Sequence, residues 1–588
     1  MNTKLRNITH NCDFCVVGGG LAGMCAAIAA ARHGLKVVLI QDRPMFGGNT
    51  SSEIRMWVCG AHGDNNRETG IMEEISLENL HRNPYRNFPV WDSVLFEMVK
   101  NEENITALLN CTCNDCEVED DGIKNIVTWQ MTTQTFHIVF AKYFADCSGD
   151  SILAPLTGAE YSMGREERSR YDESIAPVAA DKKTMGNTCL IQARETPSKR
   201  DFIPPNWAYK FTEEELKNRF SGLRDPEENY WYLEIGGTRD TIHDAEEIRD
   251  ELLPIAYGIW DYIKNSGKCD ADNWELDWVG YLPGKRESRR YIGDYVMNQR
   301  DIAGGGKFDD VVAFGGWSMD DHHPDGIRTR EPANIFHPAP SPFGIPYRSL
   351  YSRNINNLFF AGRNISVTHS AMSATRVMAT CATIGQAVGT AAWIAKDFAL
   401  TPRGVYEQKL KLLQQTLMED DCYLPGCRKE ASAIMKTAEI TTDGKDASAI
   451  INGFDRKIGE NENCWTGKVG NSIQIKFAKE ECITEIAITL DSDLNRTTIG
   501  DETSIKNKNT VSNIPLDLKP VHTPTTLVKE MKIEYITSDG ETKELAVVSD
   551  NYQRVVSLKV NQSCCGIKIT PLSTHGCEEV RIFSVTIK

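Results

Sequence analysis

The sequence predicts an α/β domain built on a parallel sheet, interleaved with an α+β domain and followed by an all-β sandwich. Three observations carry this reading. Residues 13–40 read as strand, glycine turn, helix and strand. Two later segments, 143–150 and 358–392, repeat the strand-into-glycine-turn pattern far from the first. After about residue 430 the texture changes to short alternating strands between polar turns. At roughly 150 residues per domain, the length of 588 residues suggests three or four domains. With 41% hydrophobic and 25% charged residues, the chain is neither disordered nor fibrous. A formal charge of −17 argues against nucleic acid as the main partner, because phosphates are held by Lys and Arg.

The first element is the most informative. Phe14 to Val17 form an apolar run fit for a buried parallel strand, and Gly18, Gly20 and Gly23 follow as G-x-G-x-x-G. An Ala-rich helix then runs to about His33, Gly34 ends it, and Lys36 to Ile40 form the second strand. Gly18 permits the tight turn, Gly20 lets backbone approach a pyrophosphate, and Gly23 allows close helix–strand packing. The helix N-terminus then faces the anion, so a dinucleotide site is expected here. An acidic ribose ligand is expected about 20 residues on. Gln41 ends the second strand instead, with Asp42 and Arg43 after it. Gln41 can still hydrogen-bond a ribose hydroxyl, and Asp42 also reads as a surface turn residue.

The next run carries Gly47-Gly48-Asn49, then Ser51-Ser52-Glu53-Ile54-Arg55. This resembles FAD-binding Rossmann proteins of the glutathione-reductase type, and more closely the FAD-dependent oxidoreductase family related to fumarate-reductase-type flavoproteins. Two later segments are similar to the same family: Tyr143 to Asp150, including Asp146 and Gly149, and the run from Leu358 through the small-residue helix that begins at Met378. The resemblance covers about residues 12–425. It implies FAD as cofactor, held by Gly18, Gly20, Gly23, Gln41, Asp42, Arg43, Gly47, Gly48, Asn49, Ser51, Asp146, Gly149, Gly362, Arg363 and Thr380. Many relatives have Gly-Asp where this chain has Gly362-Arg363, which leaves the ribityl contact open. Gly385 and Gly389 are expected to let the last helix pack closely on the sheet.

The intervening region reads as the substrate domain. It holds Arg286, Glu287, Ser288, Arg289 and Arg290 in one run, and Trp317, Asp321, His322 and His323 in another. Arg suits carboxylate or phosphate through its bidentate fork, although charge runs are more often solvated faces. The expected substrate-binding residues are Arg55, His62, Arg286, Arg289, His322 and His323. The resemblance places His369 beside the flavin, so His369 is the expected base, with Arg376 as a second catalytic candidate able to stabilise anionic reduced flavin. The expected division is 1–160 and 331–400 for the FAD domain, 161–330 for the substrate domain, 401–430 for a helical linker and 431–588 for the sandwich.

The 18 cysteines show no repeated spacing and are expected as reduced, mostly buried thiols. Cys12-x-x-Cys15 and the group Cys111, Cys113 and Cys116 lack a completing ligand, so no metal is expected. Val377 to Ala392 is the longest apolar stretch, but Thr380, Thr383, Gln386 and Thr390 interrupt it. No signal peptide is visible, and a cytoplasmic location is expected. Beyond 430, the run from Ile451-Asn452-Gly453 through Ile473 to Phe477 and Ile483 to Leu490 resembles a galactose-binding-like (discoidin-type) jelly roll, and 490–525 reads as a long loop. Together these imply an FAD-dependent oxidoreductase acting on a small molecule, with a sugar or glycoside ring hydroxyl oxidised to a keto-sugar. Two other readings stay open: reduction of an activated double bond in an unsaturated acid, and a glycan-binding flavoprotein with structural FAD.

Overall fold

A computed structural model describes residues 4–217, 219, 222–496 and 509–588. The chain divides into two compact units. One comprises Met1–Ala61, Tyr85–Leu413 and Lys508–Lys519; the other comprises His62–Pro84, Gln414–Asn507 and Pro520–Lys588.

The first unit is organised by a mainly parallel sheet. Its strands are β1 (Arg6–Val17), β2 (Val37–Ile40), β3 (Ile105–Leu108), β4 (Cys111–Glu119), β5 (Gly122–Gln130), β6 (Thr135–Asp146) and, far along the chain, β7 (Leu358–Phe360). Five of them run parallel in the order β3-β2-β1-β6-β7, while the hairpin β4-β5 pairs antiparallel with the first half of β6. β2 and β7 are fully buried, as strands covered on both faces must be. β1 starts at Arg6, eight residues before the apolar run at Phe14. That first half is polar and partly exposed, so it carries no buried-strand signal, yet it pairs from Arg6↔Thr135 onward.

Register decides where the site lies. Val17 of β1 pairs with Asp146 of β6, which pairs in turn with Phe360 of β7. The turns that leave these three strands, at Gly18, Cys147 and Ala361, therefore lie side by side at the carboxyl edge, where open α/β sheets bind ligands.

Helix α1 (Leu21–Arg32) follows the first turn and is buried at every position but its last. It is apolar all round because the sheet covers one side and α3 the other. After β7 come α2 (His369–Thr375) and α3 (Met378–Asp397). A Cβ on Gly385 or Gly389 of α3 would overlap the carbonyl oxygens of Ala22 and Ala26. These glycines thus admit α1, not the sheet as expected. No single helix among the described residues is long and apolar enough to cross a membrane; α2 and α3 together reach that length but are bent by 93° and largely buried.

The remainder of this unit packs a 21-residue helix, Ala245–Asn265, against Ile191, Trp274 and neighbours. Small sheets complete it. Asn187–Thr188 lies between Glu234–Ile235 and Gly284–Lys285, and Met319–His322 pairs with Asn334–His337. Within the stretch expected as one long loop at 490–525, residues 497–508 lie outside the described residues. Asn513–Ile514, by contrast, is a strand beside Ile191–Glu195.

The second unit is sheet-rich and its strand pairs are antiparallel, in the order Trp465–Lys468, Glu579–Ile587, Ile473–Leu490, Val555–Thr574, Val528–Ile536, Thr542–Val548. Alternate residues such as Ile473, Ile475, Ile486 and Ile488 enter a core centred on Trp465. All 18 cysteines of the chain are free thiols. No group of three or more His, Cys, Asp or Glu among the described residues is arranged to hold a metal ion.

Candidate active site

At the end of β1, Gly18 has φ +106°, a conformation that disfavours any side chain. A Cβ on Gly23 would strike the Gly18 carbonyl. The Gly47-Gly48 doublet returns beside this turn: Gly47 N–H donates to Gly19 O (2.9 Å), and Gly20 bridges Gly47. Gly20 differs from its neighbours, because a Cβ there would lie 3.9 Å from the nearest atom, Gly48 Cα. Space is left above the α1 N-terminus, which has neither a side-chain cap nor an acidic first turn. Close in the chain, Arg43 Nη1 is buried without a hydrogen-bond partner among the described residues. Backbone donors, a glycine-lined gap and an unpaired guanidinium nitrogen fit the pyrophosphate of a dinucleotide.

Gln41, at the end of β2, is bound to the glycine loop through its amide. Its Oε1 accepts from Gly19 N (2.7 Å) and its Nε2 donates to Met45 O (3.1 Å), so both ends of the amide brace the glycine loop. Asp42 is more than half exposed, 3.9 Å from Arg43. Ser51 Oγ closes its own turn on Gly48 O at 2.8 Å. Asp146 knots the second turn: it accepts from Ser148 N, Ser148 Oγ, Leu153 N and Tyr291 Oη at 2.6–2.9 Å.

Arg363, the departure from the family pattern, ties the turn after β7 to the turn after β6 and to Lys285. It donates to Gly149 O (3.0 Å), Asp150 Oδ1 (2.8 Å) and Lys285 O (2.5 Å), and Asn49 Nδ2 reaches the same Lys285 carbonyl at 3.1 Å. Burial pushes the Arg363 pKa down, while Asp150 opposes that shift. Thr380 is buried in the first turn of α3, whose N-terminus has no side-chain cap.

Beside this edge opens a cleft of about 1020 Å³, part of it open to solvent. Trp57, Trp231, Trp317 and Phe336 give it aromatic walls. Asn49, Thr188, Lys285, Arg286, Asp320, His322, Asn334, Arg363 and Arg376 give it polar edges, and Val377 and Met378 bring the start of α3 to it. Strand alternation along Met319–His322 turns Asp320 and His322 to the cleft. His322 Nδ1 lies 2.7 Å from Glu234 Oε2, and its Nε2 lies 3.2 Å from Asp320 Oδ2. Asp320 also takes Arg376 Nη2 at 3.3 Å and the Asn334 amide. Despite burial, His322 and Arg376 hold its carboxyl well below the usual range.

Five expected residues come together here: Arg286, His322, Arg376, Asn49 and Arg363. His369 does not line the cleft. It is buried behind it, with Nδ1 2.8 Å from Glu287 Oε2 and Nε2 3.1 Å from Asp321 Oδ1. Burial alone would lower its pKa, but Glu287 and Asp321 outweigh burial and raise it to about 10. His369 is thus a clamped cation set behind the cleft.

The other expected substrate residues also lie off the cleft. Arg289 stacks over Tyr161 at 5.4 Å, and His323 is partly exposed near Asp325 and Glu331. Arg55 is sandwiched between Trp278 (4.4 Å) and Phe88 (5.3 Å), and His62 belongs to the second unit. Sequence reasoning missed Trp57, Trp231, Glu234, Asp320 and Asn334, which come from separate segments; only the alternation of Asp320 and His322 carried a signal.

A glycine-turn cradle at the carboxyl edge of a parallel sheet, beside a cleft closed by a small-residue helix, defines a dinucleotide-binding redox protein. The model of the family described as FAD dependent oxidoreductase matches residues 13–417, and the chain belongs to that family. That family is one of FAD-dependent oxidoreductases, with FAD as its cofactor. A curated relative, 4-oxocyclohex-2-ene-1-carboxylate 5-dehydrogenase from Sinomonas cyclohexanicum, is 40% identical over 90 residues, 14% of this chain and 15% of that one. The match thus spans about one seventh of each protein. Among solved structures, a geranylgeranyl bacteriochlorophyll reductase-like protein from Thermoplasma acidophilum aligns over 71% of this chain and 85% of its own, at 12% identity and TM-score 0.30. The family 32 carbohydrate-binding module of Streptococcus pneumoniae EndoD aligns over 27% of this chain and 99% of its own, at 14% identity and TM-score 0.20.

Proposed function

We propose that the enzyme removes hydride from a ring carbon of a small polar substrate, foremost a sugar or glycoside hydroxyl carbon, leaving a ketone. The observation that supports this most is the cleft wall: Trp57, Trp231 and Trp317 offer flat apolar faces, with Asn49, Asn334 and Lys285 at the edges. Flat aromatic faces with polar rims suit rings whose faces are C–H and whose edges are hydroxyl. FAD, when bound, supplies the hydride acceptor.

The chain's own residues position the ring and move the proton. Glu234 accepts from His322 Nδ1–H, and a substrate hydroxyl that displaces Asp320 from Nε2 gives its proton to that nitrogen as hydride departs. The charge so formed on His322 faces Asp320. His369, clamped between Glu287 and Asp321, holds α2 against the strand Met319–His322 that presents His322.

A second reading is redox chemistry at a carbon–carbon bond of a ring acid. Arg376 favours it, since its Nε is buried without a partner among the described residues; the Sinomonas relative, whose name describes a cyclohexene carboxylate dehydrogenase, points the same way. The chain is proposed to divide at residues 160, 330, 400 and 430, with residues 431–588 a galactose-binding-like sandwich.

Replacing His322 with Gln tests the assignment. Flavin reduction by an active ring alcohol should slow by about 100- to 10,000-fold with FAD retained, and mass spectrometry of the wild-type product should show a ketone. An unchanged rate would remove His322 as the base.

A further inference from the structure

The cleft holds more positive charge than its counter-ions cover. Lys285, Arg286, Arg363 and Arg376 line it as four permanent cations, and three carboxylates contact them. Asp150 serves Lys285 and Arg363; Glu234 serves Arg286; Asp320 serves Arg376. Glu234 and Asp320 are further shared with His322. One positive charge is left over.

Its location can be read from the hydrogen bonds. Arg286 is fixed in the wall, with Nη1 on Thr188 Oγ1 (2.5 Å) and Nη2 on Trp231 O (2.8 Å). Arg376 is less satisfied: Nη2 reaches Asp320 O (3.1 Å) and shares Asp320 Oδ2 (3.3 Å), while Nε has no partner among the described residues. The two guanidiniums are near enough for Arg376 to contribute, after burial, to lowering the Arg286 pKa. Like charges held this close in a partly buried cleft call for an anion between them.

We infer that Arg286 and Arg376 form an anion subsite, and that the ring substrate carries a carboxylate. This rests on the ring-dehydrogenation reading above and narrows it to ring acids, such as a sugar acid. A single surplus charge matches a monoanion; a phosphate dianion would leave the cleft overcompensated. Carboxylate also suits the planar guanidinium of Arg376, whose Nε is without a partner among the described residues.

Equilibrium titration of the holoenzyme, read by perturbation of the visible flavin spectrum, tests this without turnover. The probes are twins: methyl β-glucuronide against methyl β-glucoside, and cyclohexanecarboxylate against cyclohexanol, with inorganic phosphate as a third arm. Wild-type enzyme should bind at least one carboxylate about 10- to 100-fold tighter than its neutral twin. Arg376→Gln and Arg286→Gln should each erase that preference, read as the ratio of the affinities for the charged and neutral twins. Equal binding of both twins by the wild type, a comparison that needs no variant to fold, overturns the subsite. So does phosphate binding as tightly as the carboxylates, or a preference that survives both substitutions. The two readings fail separately. Carboxylate binding with no ring compound reducing the flavin leaves the subsite and removes ring dehydrogenation; reduction by neutral ring alcohols without carboxylate preference does the opposite.

Discussion

The glycine cradle and the substrate cleft sit at the same sheet edge but are made of different material. The cradle is backbone: Gly18, Gly20, Gly23 and Gly47-Gly48 supply N–H groups and clearance, and the buried side chain of Gln41 braces the loop itself. The cleft is side chain, with charges paired through Glu234, Asp320 and Asp150. A backbone site fails when a Cβ is added, all at once and sterically. A side-chain site fails by degrees, as individual charges lose their partners.

The largest expected effect on FAD binding lies in the cradle. Gly20→Ala meets nothing closer than 3.9 Å in the protein, and Gly20 has an ordinary φ of −68°, so the fold should survive. The new methyl would occupy the gap left for the pyrophosphate. FAD affinity should fall by about 100-fold, the roughly 3 kcal/mol of an overpacked contact, with the melting temperature of the apoprotein unchanged. Retained FAD would move the pyrophosphate elsewhere. Gly23→Ala is the steric control; it should lose the fold together with FAD.

Next comes the charge network behind the cleft. Glu287 is fully buried between His369 and Arg290. Glu287→Gln leaves both cations undercompensated and should cost about 3–5 kcal/mol in denaturant unfolding while FAD binding persists. The same network sets a pH dependence. The pKa of His369 is raised from 6.5 to about 10, so its contribution is complete below pH 6.5 and drains away as pH rises through 10. Thermal stability of the wild type should drop across that alkaline range, and the drop should be smaller in Glu287→Gln. A flat alkaline profile would contradict a clamped cation. The smallest effect is expected where cradle and side chain meet: Gln41→Leu strips the acceptor from Gly19 N and should cost about 1–3 kcal/mol.

The same contrast explains what the sequence discloses. The glycine turn, α1 and β2 are contiguous, and each has a local reason, so Gly18 to Ile40 can be read directly. Gly362 and the small-residue helix follow from the same logic of close approach. The polar half of β1, from Arg6, could not be read because its pairing with Thr135 is long-range. Arg363 is recognisable only as a departure; its use depends on Gly149 and Lys285 reaching the same point. The cleft gathers Trp57, Trp231, Glu234 and Asp320 from segments with no common spacing. The same holds for His369. Nothing near it in sequence announces Glu287 or Asp321, which hold its ring behind the cleft.

The central claim is that this FAD enzyme takes hydride from a ring substrate held in the aromatic cleft. Anaerobic mixing of the oxidised holoenzyme with a panel of sugars, glycosides, sugar acids and cyclohexane carboxylates, followed through the visible flavin band, tests it most directly. The account predicts stoichiometric bleaching by at least one ring compound, with a matching equivalent of ketone or unsaturated ring product. A flavin that dithionite bleaches but no ring compound reduces would contradict it.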